Sequence, residues 1–305
     1  MKKYILTFGV LSALTVLNAC SGEGETKTEE QIFAGSEKKA EVQISKEVFD
    51  EMIQSLPQPI EIANIITKAK MPFSKEMLVP SENSGKYADK YYQAMAFGAY
   101  GVDLGYINLN DKKIYVIEYL EAIKTIAANL KVDQFFDFQT LYEMTKNRHN
   151  ADSLIHISTR NFNKIDEFLR EENRGELSVL MLIGSWTEGM HMFGQLYKKE
   201  ANDDLLKRIG EQKVVFENVM LILEKLSKIE HFAKLKNDAA EVKKAFSAVK
   251  ISYEYHEPET KEENGELIII DKTETKVELT HEDALKIITA VDLFRQKYIL
   301  NTTKQ

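Results

Sequence analysis

The chain has 305 residues, 44% hydrophobic and 29% charged, a globular balance that excludes collagen-like, low-complexity and multi-span membrane classes. With 40 Lys and Arg against 48 Asp and Glu the formal net charge is −8, so no global positive field exists to attract a phosphate backbone, and nucleic acid is not an expected partner. One cysteine, Cys20, excludes an internal disulfide and a thiolate metal cage.

Residues 1–20 read MKKYILTFGVLSALTVLNAC. Lys2 and Lys3 form a basic n-region, and Tyr4 to Leu17 carry no charge, which is the pattern of a secretory signal. The uncharged stretch is shorter than the ~20 residues a spanning helix needs, so a removable leader (1–19) is expected rather than a transmembrane anchor.

Leu17-Asn18-Ala19-Cys20 resembles the lipobox of bacterial lipoproteins: an apolar residue, two tolerant positions ending in a small one, then cysteine. The resemblance implies that the Cys20 thiol is lipidated and that Cys20 becomes the new amino terminus. Two or more acyl chains give stable membrane attachment, at ~0.8 kcal/mol per buried methylene. Residues 20–43 begin Ser-Gly-Glu-Gly-Glu-Thr-Lys-Thr-Glu-Glu after the cysteine, a polar run with nothing to bury, and are expected to be a flexible tether. This acidic segment resembles the post-cysteine segments of Bacteroidota lipoproteins, and Ser21 agrees with outer-membrane sorting in better-known Gram-negative lipoproteins. The resemblance therefore implies an outer-membrane protein facing the periplasm or the cell surface.

From Ser45 the spacing turns helical. Val48, Met52, Ile53 and Leu56 share one face, Pro57 stops it, and Ile60, Ile62, Ala63, Ile65 and Ile66 follow from Pro59. A linker over 71–85 precedes a segment over 86–109 rich in Tyr, Ala and Gly. A helix over 111–130 is expected to bury Ile114, Ile117, Leu120, Ile123, Ile126 and Leu130. Further helices are expected over 134–146, 151–172, 176–200, 203–227 and 229–249, with Gly175 suited to a left-handed helix end.

Beyond Lys250 the period becomes two. Ile251, Tyr253 and Tyr255 alternate with polar residues, Asn264-Gly265 supplies a turn, and 267–270 and 277–279 complete a small antiparallel meander. A last helix follows, with Thr280 as N-cap, Asp283 three residues on, and Ala284, Leu285, Ile287, Ile288, Val291 and Phe294 buried. The fold class expected is mostly α: a helical bundle or stacked helical hairpins over 44–249, with a C-terminal β-element and helix over 250–305 packed on the same domain.

Gly98-Ala-Tyr-Gly-Val-Asp-Leu-Gly-Tyr106 aligns without gaps on Gly184-Ser-Trp-Thr-Glu-Gly-Met-His-Met192. The match suggests either an internal duplication of helical hairpins or two buried helices with small residues at close crossings. Together the lipobox, the acidic tether and the Gly/aromatic helix pair resemble uncharacterised helical lipoproteins of Bacteroidota, a likeness that carries no activity with it.

Glu188-Gly-Met-His191 has the E-x-x-H spacing of di-metal helical bundles, but the other copy, Glu278-Leu-Thr-His281, straddles a strand-to-helix boundary. No metal or other cofactor is therefore expected, Glu188 and His191 being the candidates should a metal bind. Asp103 sits among Tyr100, Leu104 and Tyr106 and reads as a hydrogen-bonded structural carboxylate or one with a raised pKa. His149, Asp152 and His156 fall on successive helical turns and read mainly as solvated. G-x-S-x-G, P-loop, H-E-x-x-H and G-x-G-x-x-G are all absent, and no catalytic residue is assigned.

The aromatic group Tyr87, Tyr91, Tyr92, Phe97, Tyr100 and Tyr106, with Trp186, could line a groove for a small-molecule ligand, Tyr100, Asp103, Tyr106 and Trp186 being the candidate binding residues, or could fill space beside the glycines. The function expected is a lipid-anchored envelope protein with a binding, structural or assembly role and an envelope protein partner, not an enzyme. The alternatives are a ligand-binding lipoprotein with that groove, or a metal-dependent helical enzyme using Glu188 and His191.

Overall fold

The computed structural model describes residues 73–137, 151–254, 259–263, 266–270 and 274–302, with Leu56, Ala63 and Ile66; for 151–158, 259–263, 266–270 and 274 the description is of the backbone. Cys20, the tether, the helices expected over 45–66, most of the one over 134–146, His149, the side chains of Asp152 and His156, and the Asn264-Gly265 turn lie outside it.

Two one-turn 3₁₀ segments, Lys75–Met77 and Ser81–Asn83, precede the long helices. Helix α1 (Lys90–Leu109) opens where Asp89 accepts the Tyr91 N–H at 2.7 Å, satisfying one of the donors a helix start leaves unpaired. Helix α2 (Lys113–Leu130) ends at Lys131 in the left-handed region (φ 58°), and Arg174 reaches back to donate to the Leu130 carbonyl at 2.6 Å. Helices α3 (Ala151–Glu171), α4 (Gly175–Lys199), α5 (Asp203–Lys225) and α6 (Glu230–Phe246) follow, then strands β1 (Lys250–Glu254), β2 (Glu259–Glu263), β3 (Glu266–Ile270) and β4 (Glu274–Glu278). Helix α7 (His281–Arg295) runs into a π-helical turn, Gln296–Leu300. Thr280 caps α7 as expected: its hydroxyl accepts the Asp283 N–H at 3.1 Å and donates to the Asp283 carboxylate at 2.6 Å.

The protein is mostly helical, with bundle-like packing and small antiparallel β pairings. From Leu177 to Met190 helix α4 is buried on every side, as an all-round apolar helix must be, and α1 is nearly so. These two cross at the centre, and the other helices pack around them. The crossing is reciprocal: a methyl group on Gly98 would overlap the Met181 carbonyl, and one on Gly184 would overlap the Met95 carbonyl. Backbone contact at this crossing accounts for the matched glycines, and the match extends back to Met95 and Met181, each three residues before its glycine. Among the described residues no helix is long and apolar enough to cross a membrane.

Two expectations are corrected. Ile114 and Ile117 are 81% and 54% exposed, whereas Val116, Tyr119, Leu120, Ile123, Ile126, Ala127 and Leu130 are buried. The series steps by three from Ile114 to Ile126, which drifts around a helix of 3.6 residues per turn, so its first members leave the face its last members occupy. Second, the left-handed residue between α3 and α4 is Asn173 (φ 55°), and Gly175 is instead the first residue of α4. Asparagine is the other residue that tolerates this region, and it ends α3 two residues before the glycine.

Candidate functional site: a buried polar cluster

Three ionisable residues occupy core positions of three helices. Asp103 on α1 and Glu188 on α4 are 0% exposed and Arg295, at the end of α7, 5%. Each lies on its helix's apolar stripe; Arg295 is four residues beyond the buried Val291. A charge in such a place is costly unless fully paired.

Glu188 is paired in the strongest available way. The Arg295 Nε–H donates to Glu188 Oε2 at 2.8 Å and an Nη2–H to Oε1 at 2.7 Å, a fork that uses both carboxylate oxygens. Arg295 Nη2 also donates to the Met77 carbonyl at 3.1 Å. Burial alone would lower the Arg295 pKa, but the Glu188 charge and hydrogen bonds outweigh it and raise it, so the guanidinium stays charged.

Asp103 has a different chemistry. One oxygen accepts the Val79 N–H at 2.9 Å, and the other is buried without a hydrogen-bond partner. Burial, reinforced by the Glu188 charge, pushes its carboxyl well above the usual range, although Arg295 and the Val79 N–H act in the opposite direction. The shift favours the protonated form of this carboxyl.

Three tyrosines complete the cluster. The Tyr100 hydroxyl donates to the Pro80 carbonyl at 2.7 Å, Tyr119 to that of Val79 at 2.8 Å, and Tyr87 to that of Ile299 at 2.6 Å. Burial raises all three phenols above their ordinary value, so they remain donors. The strap Met77–Pro80, which leaves the first 3₁₀ turn, therefore has its Met77, Val79 and Pro80 carbonyls and its Val79 N–H met by side chains from α1, α2 and α7. A buried loop must satisfy its backbone in this way, and the cluster does that for this strap.

The residues expected to form a site are distributed among three places. Tyr100 and Asp103 join the cluster; Tyr106 stacks on Phe73 with ring centroids 5.3 Å apart; Trp186 stacks on Phe216 at 5.1 Å and donates to Gln212 at 3.1 Å. All four are buried and fill the interior rather than line one open groove. Glu188 and His191 share a face of α4 but have separate partners, Arg295 and Asp292 three residues apart on α7. The His191 ring Nδ1 lies 2.7 Å from Asp292, which also accepts from Lys198 at 3.0 Å. Burial would raise the Asp292 pKa, yet the bonds from His191 and Lys198 lower it overall. Among the described residues no group of three or more His, Cys, Asp or Glu is placed to hold a metal ion.

No known family model matches the chain, and neither a curated protein nor a solved structure does. The cluster thus stands on its own geometry. Sequence reasoning missed Arg295, Tyr119 and the strap, and it marked Tyr87 as a groove aromatic rather than as a donor to the Ile299 carbonyl. For Arg295 a signal existed, since an arginine extends the apolar stripe Ala284-Ile288-Val291; for Tyr119 nothing in the spacing marked it.

Proposed function

We propose that the chain is a lipid-anchored cell-envelope protein whose helical body has a binding, structural or assembly role rather than a catalytic one. The observation that carries this reading is Leu17-Asn18-Ala19-Cys20 in register behind a basic n-region and an uncharged h-region, followed by an acidic, polar tether. Outer-membrane placement, facing periplasm or cell surface, is supported by Ser21 after the cysteine.

Support for the non-catalytic part comes from the state of the candidate groups. Glu188 has both oxygens taken by Arg295, Asp103 is sealed at 0% exposure, and His191 is held by Asp292. A general acid or base needs a reachable proton partner, and a metal ligand needs free lone pairs. The two buried acids are both 0% exposed.

Mass spectrometry of the amino-terminal peptide from native membranes tests the reading. A diacylglycerol thioether on Cys20 is expected, with Cys20→Ala shifting the protein out of the detergent phase on partitioning. An unmodified residue 20 in native material overturns it.

A further inference from the structure

The turn between α1 and α2 is a fixed tip. Asp111 takes the left-handed region (φ 54°), its N–H donates to the Asn108 carbonyl at 2.9 Å, and the Lys112 N–H donates to that of Ile107 at 3.0 Å. The Asn110 side chain donates to the Tyr106 carbonyl at 2.8 Å. Just beyond this turn, Ile114 and Ile117 share the face of α2 that points away from the core, 81% and 54% exposed.

Aromatic rings and lysines adjoin the isoleucines. Phe73 and Tyr115, both half-buried, stack with ring centroids 5.6 Å apart. Lys75 Nζ lies 4.5 Å from the centre of the Tyr115 ring and Lys112 Nζ 5.5 Å from that of Phe73. Lys113, also exposed, follows Lys112. The acids beside them each meet a lysine: Asp111 lies 3.9 Å from Lys113, and Glu118 lies 2.8 Å from Lys75. Glu121, next along the isoleucine face, is one helical turn further from the tip.

A lone exposed aliphatic side chain needs no explanation. Two on one face, beside aromatic rings and lysines, have the make-up of a bilayer contact. Aliphatic groups enter the acyl boundary, aromatic rings sit at headgroup level, and lysine stems lie along apolar surface while their ammonium groups reach the phosphates. A protein partner fits less well, because protein–protein interfaces are depleted in lysine. We propose that the tip of the α1–α2 hairpin is a second membrane contact, in which Ile114 and Ile117 enter the headgroup–acyl boundary and Lys75, Lys112 and Lys113 meet the phosphates. The inference rests on the lipid-anchor reading, which supplies the bilayer. With Cys20 holding the chain at the membrane the second contact is an intramolecular event, so one too weak to recruit the protein alone still orients it.

The test places the mature chain from native membranes in phosphatidylethanolamine–phosphatidylglycerol vesicles, with an environment-sensitive fluorophore on Ile114→Cys. Flotation with the vesicles and one label per chain report the anchor, since a lipidated Cys20 has no thiol to label; two labels or no flotation overturn the anchor reading and this inference with it. In the anchored protein the label at 114 is expected to shift to the blue and to be quenched by a quencher on the acyl chains. A label on Ala88→Cys, exposed at the other end of α1 and about 30 Å away along that helix, is expected to do neither. Ile117→Glu should abolish the shift at 114 with the helical circular dichroism unchanged. Flotation with the 114 label in water, or a shift that survives Ile117→Glu, overturns the contact and leaves the anchor standing. A blue shift that the acyl-chain quencher does not reach marks a protein contact and also overturns the proposal.

Discussion

Gly98 and Gly184 are reciprocal across the α1–α4 crossing, each lying where the other helix presents the carbonyl of a methionine, Met181 and Met95. The space for a side chain at either position is taken by backbone, which cannot rotate away as a flexible side chain would. Only a shift of one helix against the other can make room. Gly98→Ala or Gly184→Ala should therefore destabilise by the upper part of the ~1–3 kcal/mol seen for overpacked cores, despite the ~1 kcal/mol that alanine gains in helix propensity. Because one widening relieves both overlaps, the double variant should cost less than the two singles added. Urea unfolding of the four proteins measures this, and strict additivity would show the glycines to be independent.

The Arg295–Glu188 fork makes a second prediction. Arg295→Met leaves Glu188 as an unpaired buried carboxylate and the Met77 carbonyl without its donor, and should cost ~3–5 kcal/mol. Glu188→Leu should cost a similar amount by stranding the guanidinium. The pair Glu188→Leu with Arg295→Met removes both charges and should recover most of the loss, since buried ion pairs are often no better than well-packed apolar residues. A double-mutant cycle by denaturant unfolding reads the coupling, and a double variant as unstable as the sum of the singles would contradict it.

Asp103 predicts how the strap depends on pH. Its folded-state pKa is raised, so the native protein binds a proton there that the unfolded chain has lost. The stabilising contribution is complete below the ordinary carboxyl value of 3.8 and declines as pH rises toward the folded pKa. Asp103→Asn, neutral at every pH and still able to accept the Val79 N–H, should flatten this part of the stability profile and be tolerated at neutral pH. Asp103→Ala removes the acceptor and should cost ~1–3 kcal/mol, with faster hydrogen exchange at the Val79 amide. An Asp103→Asn profile as steep as that of the parent would place the slope elsewhere.

What was legible in the sequence follows from what periodicity encodes. Helix α5 opening after Asn202, α7 behind its Thr280 cap, and the polar break between α3 and α4 are local chemistry, written within a few residues. Ile114 and Ile117 are exposed because spacing by three carries an angular drift that takes them off the buried face. The cluster was half visible: Asp103 and Glu188 stand out as charges on apolar stripes, but their partners come from 24 to 107 residues away, a distance at which no spacing rule operates. Arg295 carried the same mark of a charge at a core position, and three such marks in one chain would have been grounds to expect a common buried network.

His231 gives the opposite pH response and a check on the α1–α6 contact. Its ring stacks on Tyr91 at 4.5 Å and meets the edges of Tyr92 and Tyr298 at 5.5 and 6.3 Å, with Nε2 buried and unpartnered. Burial lowers its pKa, with Lys234 adding to the effect and Asp89 opposing it. Burial thus favours the neutral ring, whose contribution is complete above the ordinary histidine value of 6.5 and lost as pH falls through that value toward the folded pKa, because the unfolded chain takes up the proton first. His231→Phe keeps an aromatic ring for Tyr91 and has no proton to gain, so it should remove the decline in stability between neutral and mildly acidic pH. Thermal unfolding of both proteins across that range decides it: parallel curves would mean that another group sets the acid limb.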